Sequence, residues 1–161
     1  MRGYFLDLNE ASLIESEITL RNLRLTSEVT ETRRAAIRWL ALSLGIINPG
    51  ESRLGSLAVL DSLIHFQFVK NTDPSVKDMI DYINTNWEQI NEKTLRYHLL
   101  RMKKMGFVDN SSGKFYFKHP DTGDRFDPSN WALHIFESNY TDIANKVGQV
   151  IKDVKSKSGG A

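Results

Sequence analysis

At 161 residues the chain has room for one domain with a real hydrophobic core and not comfortably for two. Hydrophobic residues at 40%, charged residues at 25% and only four Pro and ten Gly exclude collagenous, low-complexity and wholly disordered chains, and the absence of cysteine removes disulfides, thiolate zinc sites, iron–sulfur clusters and cysteine nucleophiles together. The 21 basic and 20 acidic residues leave a net charge of +1, yet the balance is uneven: zero over residues 1–60, −3 over 61–90, +5 over 91–118 and −1 over 119–161, so a polyanion is to be sought at 91–118.

In chain order, Ser12-Leu13-Ile14-Glu15 reads as a capping box, and Leu13, Ile14, Ile18, Leu20 and Leu25 predict a first helix from about Asn9, although their phase is imperfect. Thr30 is the expected cap of a second helix reaching Leu44, with Ile37, Leu40, Ala41 and Leu44 as its apolar stripe, and Asn48-Pro49-Gly50 breaks the chain after it. Arg33, Arg34 and Arg38 lie off that stripe; with Glu28 and Glu31 just before them, ordinary surface pairing is expected ahead of phosphate contact. Residues 52–69 are apolar on most sides, which predicts a central helix. Asp73-Pro74 reads as N-cap plus first-turn proline of a short helix on Val76, Met79, Ile80 and Ile83. Seven residues, Asn84 to Ile90, then form a slack turn into which Trp87 is expected to plug. Asn91 caps the next helix, Ile90 is placed to staple against Leu95, the spacing of Leu95, Leu99, Met102 and Met105 marks its buried side, and Gly106 stops it.

After Gly106 the period shortens. Phe107-Val108-Asp109 and Lys114–Lys118 predict a hairpin around the loop Asn110-Ser111-Ser112-Gly113. A polar connector, His119 to Asp127, leads to Asp127-Pro128 and a last long helix. In that helix Leu133, Phe136, Tyr140, Ile143, Val147, Val150 and Val154 alternate in steps of three and four, a heptad seam. The seam is expected to be covered by the same helix of a second chain, making a homodimer, or by Ile37, Leu40 and Leu44 of its own chain. Residues 155–161 read as a frayed tail.

The stretch Asn91–Val108, with its Thr94-Leu95 start, His98-Leu99, Arg101-Met102-Lys103-Lys104-Met105 and the Gly106-Phe107-Val108 exit, resembles the recognition helix and first wing strand of winged helix-turn-helix transcription regulators of the kind found in bacteria and archaea. The resemblance covers less than half of the chain. It implies a winged helix-turn-helix core at 51–119; with the helices read on either side of it, the expected fold is mainly α with a small β-hairpin, an N-terminal helical extension at 1–50 and a connector, heptad helix and tail at 120–161. The N-terminal extension and the long turn before Asn91 depart from the minimal pattern.

With Leu95, Leu99 and Met102 inward, Lys93, Thr94, Arg96, Tyr97, Arg101 and Lys104 fall on outward or flanking positions of a helix narrow enough for a DNA major groove. Lys114 and Lys118 are the wing candidates, as the resemblance implies. The expected function is sequence-specific binding of double-stranded DNA in transcription regulation; the alternative is a winged protein-interaction module that binds no DNA. Neither a cofactor nor a metal is expected, since His65, His98, His119 and His134 share no ligand spacing and Asp121, Asp124 and Asp127 recur every third residue, unlike a calcium loop. Asp121-Thr122-Gly123 matches the short aspartic-protease motif but lacks its strand context, and no phosphate loop or serine elbow is present, so no enzyme is expected. No stretch approaches the roughly 18 apolar residues of a membrane span, and the first ten residues are unlike a secretory leader, which makes the cytoplasm the expected location.

Overall fold

The computed structural model describes residues 9–159. They form two compact units, with the break between Tyr116 and Phe117. The first holds a 3₁₀ turn at Glu10–Leu13, another at Ser27–Thr30, helices α1 (Arg33–Ser43), α2 (Gly55–Ile64), α3 (Val76–Asn86) and α4 (Glu92–Lys104), and the hairpin strand β1 (Val108–Ser111). Strand β2 (Lys114–Phe117) runs across the break, and helix α5 (Pro128–Gly159) belongs to the second unit.

The expected first helix is absent. Only the turn Glu10–Leu13 is helical, and from Ser16 to Thr26 the chain has no regular structure. Its half-buried residues Ile18, Leu20, Arg21 and Leu23 follow a period near two, so the imperfect helical phase marks a segment that lies along the surface. Arg21 fixes it there: its guanidinium donates to the Leu42 and Ile47 carbonyls at 2.9 Å and to Asn48 Oδ1, binding the backbone just where α1 ends. Gly45, at φ +71°, completes that end, and any β-carbon there would run into the Thr19 carbonyl.

Thr32 rather than Thr30 caps α1, accepting from the Ala35 amide. The arginines on this helix do not pair with Glu28 or Glu31. Arg33 reaches Asp61 of α2 at 2.6 Å, Arg34 donates to the Asn86 carbonyl and lies 4.0 Å over the Trp87 ring, and Arg38 donates to the Glu51 carbonyl. The cluster therefore ties α1 to the rest of the unit, a use that short-range charge patterning does not anticipate.

As expected, α2 is central: every residue from Ser56 to Leu63 is buried, and the helix packs against α1, α3 and α4. It starts at Gly55 and gives way to a π-helical turn, His65–Val69. The cap of α3 is Ser75, in a complete capping box with Asp78, and not Asp73. Pro74 and Ser75 are extended because they pair with the hairpin: the Phe115 amide donates to the Pro74 carbonyl, and Ser75 bridges Lys114 in antiparallel sense. Asp73 accepts from buried Gln67 instead.

Helix α3 runs on to Asn86, so the turn before α4 is four residues and not seven. Trp87 does plug it, donating to Asp61 Oδ2 at 2.8 Å. The hairpin is also tighter than expected. Asn110 and Ser111 belong to β1, and only Ser112 and Gly113 turn the chain, at φ +52° and +76°.

In the second unit, Asp127 caps α5 through Oδ1 and the Ser129 amide, as Asp127-Pro128 predicts. Phe117 and Trp131 rings pack 4.9 Å apart, and Arg125 contacts His119 and lies over Phe126. The helix continues through Gly159, so residues 155–159 of the expected frayed tail are helical; the last two lie outside the described residues.

Candidate nucleic-acid interface

Both ends of α4 are set by local chemistry. Asn91 Oδ1 accepts from the Thr94 amide at 2.8 Å, fixing the first turn. At the other end Gly106 stands at φ +86°, its amide donates to the Lys103 carbonyl, and the Phe107 amide donates to the Met102 carbonyl, the two bonds of a Schellman stop. Phe107 and Val108, both buried, carry the chain straight into β1.

Leu95, Leu99 and Met102 are buried, so the outward side of α4 is determined. Lys93, Thr94, Arg96, Tyr97 and Lys104 are exposed on it, with Arg101 half-buried at its flank. Lys114 is exposed at the start of β2, and Lys118, also exposed, lies one residue beyond that strand in the second unit. The cations differ in what they face. Arg96 is held by Glu92 at 3.1 Å across one helical turn, whereas Lys93, Arg101 and Lys104 have no carboxylate at ion-pair distance among the described residues. Lys114 stands near enough to Asp78 to help hold that carboxyl below its usual range, although the Ser75 amide is the main cause.

Lys103, not singled out from the sequence, is committed elsewhere. Its ammonium bonds Asn110 Oδ1 at 2.7 Å and lies 3.7 Å from Asp109, tying the last turn of α4 to β1. Beside it a groove of about 320 Å³ runs between α4 and the hairpin over Leu100 and Phe115, with Arg96 on its lip. Sequence reasoning missed this groove. Its one signal is Leu100, a large apolar residue out of phase with the buried side and 53% exposed.

His98 marks where α4 crosses α2. A β-carbon at Gly55 would lie 2.8 Å from its Nε2, so glycine is what permits the approach. Its buried Nδ1 has no hydrogen-bond partner, and burial, helped by the Arg101 charge, lowers its pKa, keeping the ring neutral. It is a packing residue. Among the described residues, no group of three His, Asp or Glu side chains is arranged to hold a metal ion, and no helix is long and apolar enough to cross a membrane.

The seam of α5 is not uniform in exposure. Phe136 is half-buried, whereas Leu133, Tyr140, Ile143, Val147, Val150 and Val154 are exposed. Among the described residues the buried ones of this helix are Trp131 and Ile135, on a side about 140° round from the seam.

Comparison with protein-family models, curated proteins and solved structures finds no match to this chain.

Proposed function

We propose that the chain is a winged helix-turn-helix protein of the cytoplasm that binds double-stranded DNA sequence-specifically and regulates transcription by non-covalent contact alone. The observation that carries this reading is the outward side of α4, where Lys93, Thr94, Arg96, Tyr97 and Lys104 stand exposed on a helix that ends directly in a hairpin bearing Lys114. Its support is physical. A helix of this width fits a major groove, Lys and Arg release counterions from phosphates, and Thr94, Arg96 and Tyr97 in the first two turns are the groups within reach of base edges. The element order α2, α3, turn, α4, β1, β2 is the order such a domain requires.

The test is titration of labelled duplexes, selected from a randomised pool, at two salt concentrations. Arg96→Ala is expected to cost about 1–3 kcal/mol on the selected site and to flatten preference at one base pair, whereas Lys114→Ala weakens all sequences alike and lowers the salt slope by about 0.9. Absence of salt-dependent duplex binding overturns the reading in favour of a protein-interaction module. The observation favouring that alternative is that Tyr97 and Leu100, 62% and 53% exposed, put apolar surface amid the charges.

A further inference from the structure

From Tyr140 to Ser158 every residue of α5 except Gly148 is exposed. In proteins most helical stability comes from packing an amphipathic face rather than from propensity. This helix carries Tyr140, Ile143, Val147, Val150, Ile151 and Val154, each 47–62% exposed, within a single stripe about 100° wide. A stripe repeating strictly every seven residues matches another helix that repeats in the same way, because the 3.5-residue period is the one a left-handed pair of helices keeps in contact.

We propose that this half of α5 is the interface of a homodimer in which two copies pair antiparallel, with the two-fold axis passing between Gly148 and Gln149. The sequence along the stripe selects both the partner and the direction. Tyr140, Val147 and Val154 occupy a positions, and Ile143, Val150 and Lys157 occupy d positions. Two parallel helices in register would stack Lys157 on the partner's Lys157 and set Lys146 at g against the partner's Ile151 at e, which offers repulsion and no compensating ion pair. Antiparallel pairing about the stated axis removes both faults. Val147 then meets the partner's Val150, Ile143 meets the partner's Val154, and Tyr140 meets the partner's Lys157, an ammonium over an aromatic ring. Lys146 faces the partner's Asp153, twice by symmetry, and Ala144 and Ile151 close one flank of the stripe. The overlap, Tyr140 to Lys157, coincides with the half of the helix that is exposed on all sides.

The proposal is independent of DNA binding and is tested without DNA. Because the chain has no cysteine, Ser129→Cys gives a single spin-label site at an exposed position of α5. At about 1.5 Å rise per residue the two labels of an antiparallel dimer stand about 60 Å apart, against less than about 20 Å for parallel pairing. Light scattering on the full chain at about 200 µM is expected to give twice the monomer mass. Val147→Asp should return the monomer mass with the helical circular dichroism of the remaining fold retained, since Val147 is 52% exposed in the single chain. A monomer at that concentration, a short label distance, or a dimer that survives Val147→Asp overturns the proposal.

Discussion

Asp61 is 2% exposed and accepts from three donors on three different segments: Arg33 at 2.6 Å, Tyr82 Oη at 3.0 Å and Trp87 Nε1 at 2.8 Å. A carboxylate taken out of water is tolerated only when its lone pairs are so occupied. Tyr82, for its part, has its pKa raised by burial and by the adjacent carboxylate, so it stays a donor. The consequence reaches the candidate interface, because Trp87 ends α3 and begins the turn that aims α4. Asp61→Asn turns one acceptor into an amide that faces a donor. Arg33 is half exposed and recovers water, so the expected loss is about 2–3 kcal/mol, less than for a fully buried pair. Urea unfolding measures it, with Asp81→Asn as the control: Asp81 bonds only its helix neighbour Lys77 at the surface, and its loss should cost under about 0.5 kcal/mol.

Among the elements, those governed by neighbours in sequence were legible and those governed by distant partners were not. The start and stop of α4 rest on Asn91 and Gly106, and its inner face on three apolar residues, so the candidate interface could be read from the chain. The segment 16–26 could not, because what holds it is Arg21 bonding carbonyls more than twenty positions away. Likewise Asp73-Pro74 has the local form of a helix start, but the pairing of Pro74 and Ser75 with β2 draws them into extended backbone and moves the cap to Ser75. In the hairpin the misplaced boundary has a conformational cause: two consecutive residues at positive φ make the shortest turn, and Ser112 is not the residue that prefers it. Ser112→Asn is therefore expected to raise the thermal stability of the fold by about 0.5–1 kcal/mol, and Ser112→Val to lower it by at least about 1 kcal/mol. Equal melting temperatures for the two variants by calorimetry would contradict the turn geometry.

On the scale of the whole molecule, a net charge of +1 conceals a division of labour among the charges. In the 61–90 segment Asp61 is buried, Asp73 receives Gln67, Asp78 completes the capping box of α3 and Asp81 pairs with Lys77 at the surface. Residues 91–118 carry an excess of five positive charges, of which Lys114 stands near one of those carboxylates, Asp78. Within it, Arg101 is half-buried, Arg96 shares its charge with Glu92, Lys103 is bound to the hairpin and the exposed Lys118 belongs to the second unit, which leaves Lys93, Lys104 and Lys114 as the exposed cations of the first unit best able to exchange counterions for phosphate. If α4 and the hairpin lie along a duplex, these three set the salt dependence, while Thr94, Arg96 and Tyr97 set the preference among sequences. Lys93→Ala, Lys104→Ala and Lys114→Ala combined should make the slope of log affinity against log salt shallower by about 2.7, weakening selected and random duplexes by the same factor. Because none of the three packs in the core, the unfolding free energy from urea titration should stay within about 0.5 kcal/mol of the parent. A slope that is unchanged while affinity falls would place the duplex on another surface of the molecule.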